Sequence, residues 1–198
     1  DAHYQRGAVA HVSGDSKLAL ASYEKAIAYS KSHTEALVSR AGLLFDLGRA
    51  QEGMRDVDAL LKADPREPRA LYLKALQAER DGNTAATASA LNQITGLLDP
   101  VPVEFLRYRP QLLMLGGLSH YGLKQFEKAK PYLEAIQRQQ PNSGVSKLLA
   151  QIYLNDKNVD RAIESLDSFL KANPTDVQAV LLLASAHMAQ GRYARATQ

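Results

Sequence analysis

The chain has 198 residues, 45% hydrophobic and 23% charged, with 24 Lys+Arg against 21 Asp+Glu and neither Cys nor Trp. It is too apolar for a disordered chain and too evenly charged for the clustered cations of a nucleic-acid surface; without Cys it has no disulfide framework, thiolate zinc site or thiol nucleophile. Its apolar residues are scattered, with none of the runs of about 20 that a membrane helix requires.

In chain order the sequence repeats itself. Residues 1–33 carry Gly7 and Gly14, then Tyr23 and Ala26; residues 34–67 return the pattern 34 positions later as Ala41, Gly48, Val57 and Leu60; residues 68–101 return it as Ala75, Gly82, Leu91 and Ile94. The small residue two turns before each glycine lets a neighbouring helix approach, and the large apolar pair at i and i+3 forms the inner face of a second helix. Each unit is therefore expected to be two helices joined by a tight turn, over 35–47 and 50–62 in the second unit. Residues 102–109 interrupt the register. It resumes in 110–142 with Gly117, Ala129, Leu133, Ile136 and Pro141, and in 143–176 with Ala150, Ala162, Leu166, Phe169 and Pro174. A partial unit, 177–198, opens with Ala184, Gly191, Tyr193 and Ala196. Pro65, Pro141 and Pro174 stop the second helices, because proline removes a donor and clashes with the preceding turn. Strands are not expected: Ala, Leu, Lys, Glu and Gln dominate the periodic segments. The chain opens at Asp1 with no Met and no signal peptide, which reads as a fragment or a mature segment.

The combination of Gly7, Gly14, Ala19, Tyr23 and Ala26, and that of Gly117, Phe126, Ala129, Leu133, Ile136 and Pro141, resembles the tetratricopeptide repeat (TPR). The resemblance covers nearly the whole chain and implies an all-α, right-handed superhelical solenoid, one domain with first helices lining a concave groove. Lys31 and Asp99 depart from it where a connecting Pro is usual, Gly53 and Thr87 where a small Ala is usual, and Lys124 and Lys157 where the turn Gly is usual. Residues 70–76, 109–117 and 146–154 are similar to TPR lipoproteins of bacterial exosortase (PEP-CTERM) exopolysaccharide systems. That narrower resemblance implies an envelope-side scaffold, periplasmic or associated with the outer membrane, with the cytoplasm as the alternative.

Signatures of catalysis are sparse. The glycines are isolated at repeat spacing rather than gathered in a phosphate loop, and Gly-x-Ser-x-Gly does not occur. His11, Ser13 and Asp15 match a triad by residue type, but adjacency across a turn does not give convergent geometry, and a turn Ser capping the next helix is the simpler expectation. The five histidines have no i, i+4 partner, so neither a metal nor another cofactor is expected. Glu24, Asp56, Asp58, Glu127 and Glu164 read as solvated.

The resemblance carries the groove positions over to Tyr4 and Ala8, Val38 and Gly42, Tyr72 and Leu76, Met114 and Leu118, Lys147 and Gln151, and Leu181 and Ser185. His11, Phe45, Glu79, Arg80, Tyr121, Asn155 and Met188 lie further along the same helices. Tyr4, Phe45, Tyr72, Arg80, Met114, Tyr121, Lys147 and Gln151 are the expected partner contacts, aromatic and Met side chains giving adaptable contact area. Val38, Leu76 and Leu118 read equally as inter-helix core. Lys147 and Gln151 come nearest to the Lys and Asn with which chaperone-binding members hold a terminal carboxylate. The interruption adds Phe105, Arg107, Tyr108 and Arg109, aromatics and cations that suit sugars, bases or acidic peptides; alternatively Phe105 and Leu106 lengthen the next helix and seal a junction. The expected function is a non-catalytic scaffold for a protein or peptide, with direct polysaccharide binding as the alternative. Homotypic contact through the terminal unit is a further expectation.

Overall fold

The computed structural model describes residues 2–191, which form eleven α-helices and one 3₁₀ helix, with no strand among the described residues. The first pair is α1 (Ala2–Val12) and α2 (Ser16–Tyr29), the second α3 (Thr34–Asp46) and α4 (Ala50–Ala63), the third α5 (Pro68–Arg80) and α6 (Thr84–Leu98). After the 3₁₀ helix Val103–Tyr108 come α7 (Pro110–Gly122) with α8 (Phe126–Gln139), α9 (Val145–Asn155) with α10 (Val159–Ala172), and α11 (Val177–Ala189). The chain is an all-α tandem array of the solenoid class. The expected continuation through Tyr193 and Ala196 lies outside the described residues.

The turn between the helices of a pair is the same each time. At the end of α1, Gly14 N–H donates to His11 O and Asp15 N–H to Ala10 O, 3.1 and 2.9 Å, a closure that caps the last carbonyls and places one residue in the left-handed region. Gly14, Gly48, Gly82 and Gly191 take it with φ of 70 to 83°. Lys124 and Lys157 take it too, with φ of 58 and 59°, so both lysines carry the conformational cost that glycine avoids.

Cα packing divides the chain into two compact units that meet at Leu97 and Leu98. In the N-terminal unit α1 packs on α2 and α3, and α3 on α4 and α5. Its core runs through clusters of Ala10, Ala19, Tyr23 and Leu43, then Leu37, Leu60 and Ala70, then Ala41, Phe45 and Val57. In the C-terminal unit one cluster joins Leu106, Leu113, Leu133, Leu149, Leu166 and Phe169. Leu113, Leu133, Leu149 and Leu166 are fully buried, each contributing about 1.5–3 kcal/mol against the entropy of ordering its repeat.

Close approach explains three helix glycines, of which one, Gly53, departs from the repeat. A Cβ at Gly7 would lie 2.6 Å from the Tyr23 ring, and one at Gly117 would lie 2.5 Å from Leu133 Cδ2. Gly53 stands where the first, fourth and fifth repeats carry Ala because the Phe45 ring occupies that space, 2.6 Å from a notional Cβ. Phe45 is accordingly 4% exposed and belongs to the core, which corrects its assignment to the groove.

Asp56 is also corrected. It is buried, 4% exposed, and accepts two hydrogen bonds from Arg40 at 2.8 and 2.6 Å. The residues of the supposed triad are spent separately. Asp15 caps α2 by accepting from Leu18 N–H at 2.9 Å, Ser13 donates back to Ala10 O at 2.9 Å, and His11 Nδ1 lies 3.3 Å from the Tyr23 hydroxyl. The cap is thus the Asp, not the Ser.

Candidate functional site

In the N-terminal unit, Tyr4, Val38 and Tyr72 recur at 34-residue intervals on α1, α3 and α5, first helices that touch in sequence. All three are half-buried. The Tyr4 ring lies 6.0 Å from that of Tyr23 and 5.4 Å from that of His33, so its apolar body is supported from below. Val38 packs on the Leu37–Leu60–Ala70 cluster. The Tyr72 hydroxyl makes no hydrogen bond among the described residues, and burial, with the Glu79 charge adding, pushes its phenol above the ordinary value. One turn along stand Ala8, Gly42 and Leu76. A Cβ at Gly42 would meet nothing within 4 Å, so the middle of this row is open space.

Arg80 is bound to the end of α3. Its guanidinium donates to Phe45 O at 3.0 Å, where helix carbonyls lack intrahelical partners, and lies 3.8 Å from Asp46. Arg69 is drawn into a carboxylate pair, donating to Glu67 and to Glu35 at 2.9 and 2.7 Å.

The C-terminal unit presents a different surface. Met114 packs partly buried on the core, and Leu118 is half-buried. The Tyr121 hydroxyl donates to Gln151 Oε1 across one repeat. Lys147 Nζ is 2.8 Å from Asp176, the N-cap of α11, and 5.5 Å from the Phe169 ring centroid. The two residues nearest to a carboxylate-holding pair therefore already have partners within the fold, and the structure does not offer Lys147 as a free cation. Leu181 and Met188 remain 63% and 52% exposed on α11.

The interruption forms a separate 3₁₀ turn, not an extension of α7, since Arg109, with φ −129° and ψ 69°, occupies a non-helical N-cap position before Pro110. Leu106 is buried in the core cluster, and Gln139 donates to Arg107 O at 3.0 Å. Phe105 and Tyr108 are 73% and 78% exposed, with the Arg107 guanidinium 4.6 Å from the Tyr108 ring centroid, and Arg109 is exposed. One residue seals the junction while its neighbours face solvent.

Sequence reasoning missed a column of buried polar rings. His120, Tyr153 and His187 hold the same place in successive repeats, and all are buried. His120 Nε2 lies 2.7 Å from Asp99, in place of the usual connecting Pro, and Nδ1 lies 2.8 Å from Gln125. Tyr153 donates to Glu134 at 2.6 Å; burial and that bond push its phenol well above the ordinary range. Spacings of 33 and 34 between the three carry the signal in the sequence, and the tyrosine between two histidines masks it.

Among the described residues no helix is long and apolar enough to cross a membrane. No curated protein matches the chain. Its structure is similar to that of Pseudomonas aeruginosa pilF, with a TM-score of 0.71 and 19% identity over 100% of this chain and 86% of that one. It is also similar to PilW, a widely conserved type IV pilus biogenesis factor, with a TM-score of 0.71 and 18% identity over 98% and 87%. A third likeness is to YrrB, a TPR protein with an unusual peptide-binding site, with a TM-score of 0.61 and 16% identity over 88% and 86%. These identities speak for the fold. The tetratricopeptide repeat family itself matches residues 4–57, 43–97, 114–176 and 147–198, and with the recurring turn and the helix pairs this makes the chain a member of the tetratricopeptide repeat family.

Proposed function

We propose that the chain is a non-catalytic scaffold that holds a segment of a partner polypeptide against the first-helix face of its N-terminal unit. TPR proteins bind protein and peptide partners on a fold that is generally non-catalytic. The observation that carries the reading is the open space over Gly42 on α3, in a row of first helices that carry Tyr4, Val38 and Tyr72 one turn earlier. Half-buried aromatics give large contact area at small entropic cost, and a few such anchors dominate binding. The setting proposed is exopolysaccharide assembly or export at a bacterial envelope, on the periplasmic side or at the outer membrane. That part rests on the resemblance of residues 70–76, 109–117 and 146–154 to TPR lipoproteins of exosortase systems.

The test is partner capture from envelope extracts of a bacterium with such a system, comparing the natural chain with Gly42→Gln and Tyr72→Ala. Gln is a good helix former and would fill the open space; capture is expected to fall with helicity and thermal midpoint maintained. Capture of the same partner by all three chains would refute this placement of the site.

A further inference from the structure

A cleft of about 380 Å³ opens between α8 and α10, with Tyr153 of α9 at its side. Arg161, Glu164, Ser165 and Ser168 stand at i, i+3, i+4 and i+7 on α10, and Glu134, Gln137 and Arg138 at i, i+3 and i+4 on α8, so each helix turns one face to it. Ser165 occupies the place that Tyr132 holds 33 residues earlier, where a ring packs over Gly116; here Leu149 stands in place of that glycine and a hydroxyl in place of the ring.

The lining selects a ligand class. No aliphatic side chain contributes, which disfavours an apolar occupant. Glu134 and Glu164 balance Arg138 and Arg161, so an ion of either sign meets its own charge as well as the opposite one. Glu134 is fixed by Tyr153 at 2.6 Å and by Arg161 at 3.3 Å, and Arg161 lies 5.3 Å from the centroid of the Tyr153 ring, which makes the wall rigid and occupies that ring face. Ser165 is 6% exposed and makes no hydrogen bond among the described residues, yet its hydroxyl is not sealed from solvent; the cleft is what it opens to.

A neutral ligand rich in hydroxyls, each of which both donates and accepts, is a sugar ring. The volume is at the lower end of the range for small-molecule sites, about 300–1,000 Å³, suited to one or two such rings. We infer that this cleft binds a sugar residue of a neutral glycan, held by hydrogen bonds with the Ser165 and Ser168 hydroxyls and by the acceptor oxygens of Glu134 and of Gln137, whose amide nitrogen donates to Ser146 at 3.1 Å. The inference does not depend on the proposed polypeptide site, which lies on the other unit.

Titration of the isotopically labelled whole chain with glucose, galactose, mannose, N-acetylglucosamine and their short neutral oligomers, followed by amide NMR, tests it. Saturable shifts are expected within 134–138, at 153 and within 161–168, with dissociation constants near 1 mM, as few hydrogen-bonded contacts allow. Ser165→Ala should weaken binding several-fold without moving the thermal midpoint downward, and Glu134→Gln should weaken it further. Silence at these amides with every neutral sugar would overturn the inference. So would shifts there from glucuronate or from short charged peptides alone, or neutral-sugar binding indifferent to both substitutions.

Discussion

Glu35 and Arg69 hold the same place in successive repeats, 34 residues apart, and the second grips the first: Arg69 Nη1 donates to both Glu35 carboxylate oxygens, at 2.7 and 2.8 Å. One repeat position thus serves as acceptor in one copy and donor in the next, tying α3 to α5. Arg69 is 23% exposed and Glu35 48% exposed at the side chain, so the bond is partly screened. A double-mutant cycle with Arg69→Met and Glu35→Gln should give a coupling of about 0.5–1 kcal/mol in urea unfolding at low salt, shrinking at high salt. A coupling that ignored salt would show that packing by the Arg69 stem, not charge, joins the repeats.

The same arginine makes stability depend on acid. Burial raises the Glu67 carboxyl, but hydrogen bonds from the Arg69 guanidinium and backbone N–H outweigh it and hold the group below its ordinary 4.5. A depressed folded value means that the contribution is fully present above the unfolded value and is lost as pH falls through the folded one. Stability should therefore decline with falling pH below about 4.5. Glu67→Gln should flatten that decline while leaving the slope near neutrality unchanged, as read by urea midpoints across a pH series.

Among the described residues, Arg40 and Asp56 form the most buried pair of an arginine or lysine with a carboxylate, 21% and 6% exposed at the side chain. The hydrogen bond to Asp56 raises the Arg40 guanidinium against its desolvation, so it stays charged. Asp56→Ala should cost about 2–3 kcal/mol, because it leaves a half-covered guanidinium without its acceptors. Substituting both, as Arg40→Leu with Asp56→Leu, should recover most of the loss, since packed apolar side chains replace buried ion pairs at little cost. Calorimetry of the single and double variants distinguishes the two outcomes.

That pair also shows why part of the molecule was legible in the sequence and part was not. The glycine turns and the Leu133 and Leu166 positions recur in type, so spacing alone located helices and core. The places of Arg40 and Asp56 recur in position but not in type, holding Gly116 and Tyr132 in the fourth repeat and Leu149 and Ser165 in the fifth. An ion pair, a ring over a glycine and a leucine beside a hydroxyl are three solutions to one space. Read singly, Asp56 looks like surface and Ser165 like filler; only the facing residue settles what each does. Phe45 fell to the same difficulty, since its burial follows from Gly53 on the adjoining helix.

The turn lysines give a prediction about backbone alone. Lys124 and Lys157 occupy left-handed conformations that Gly14, Gly48, Gly82 and Gly191 adopt without a side-chain clash. Lys124→Gly and Lys157→Gly should each stabilise the chain by about 0.5–1 kcal/mol, the relief of strain exceeding the greater freedom of glycine in the unfolded chain. A fall in the thermal midpoint on either substitution would mean that the lysine stems contribute packing beyond what the φ angle costs.

Two glycines of the second repeat should respond oppositely to one methyl group. At Gly42 the added Cβ enters open space within α3, and Ala should stabilise by about 0.5–1 kcal/mol through helix propensity. At Gly53 the Cβ would lie 2.6 Å from the Phe45 ring and 3.1 Å from Ala41 O, both held by the core. Gly53→Ala should therefore destabilise by about 1–3 kcal/mol despite the same gain in propensity. Phe45→Leu in the Gly53→Ala background should restore part of the loss, because the smaller side chain vacates the space that the methyl group needs. If Gly53→Ala were neutral on its own, α3 and α4 would have to slide apart freely, and the close packing of Phe45 on Gly53 would not set the spacing of that pair.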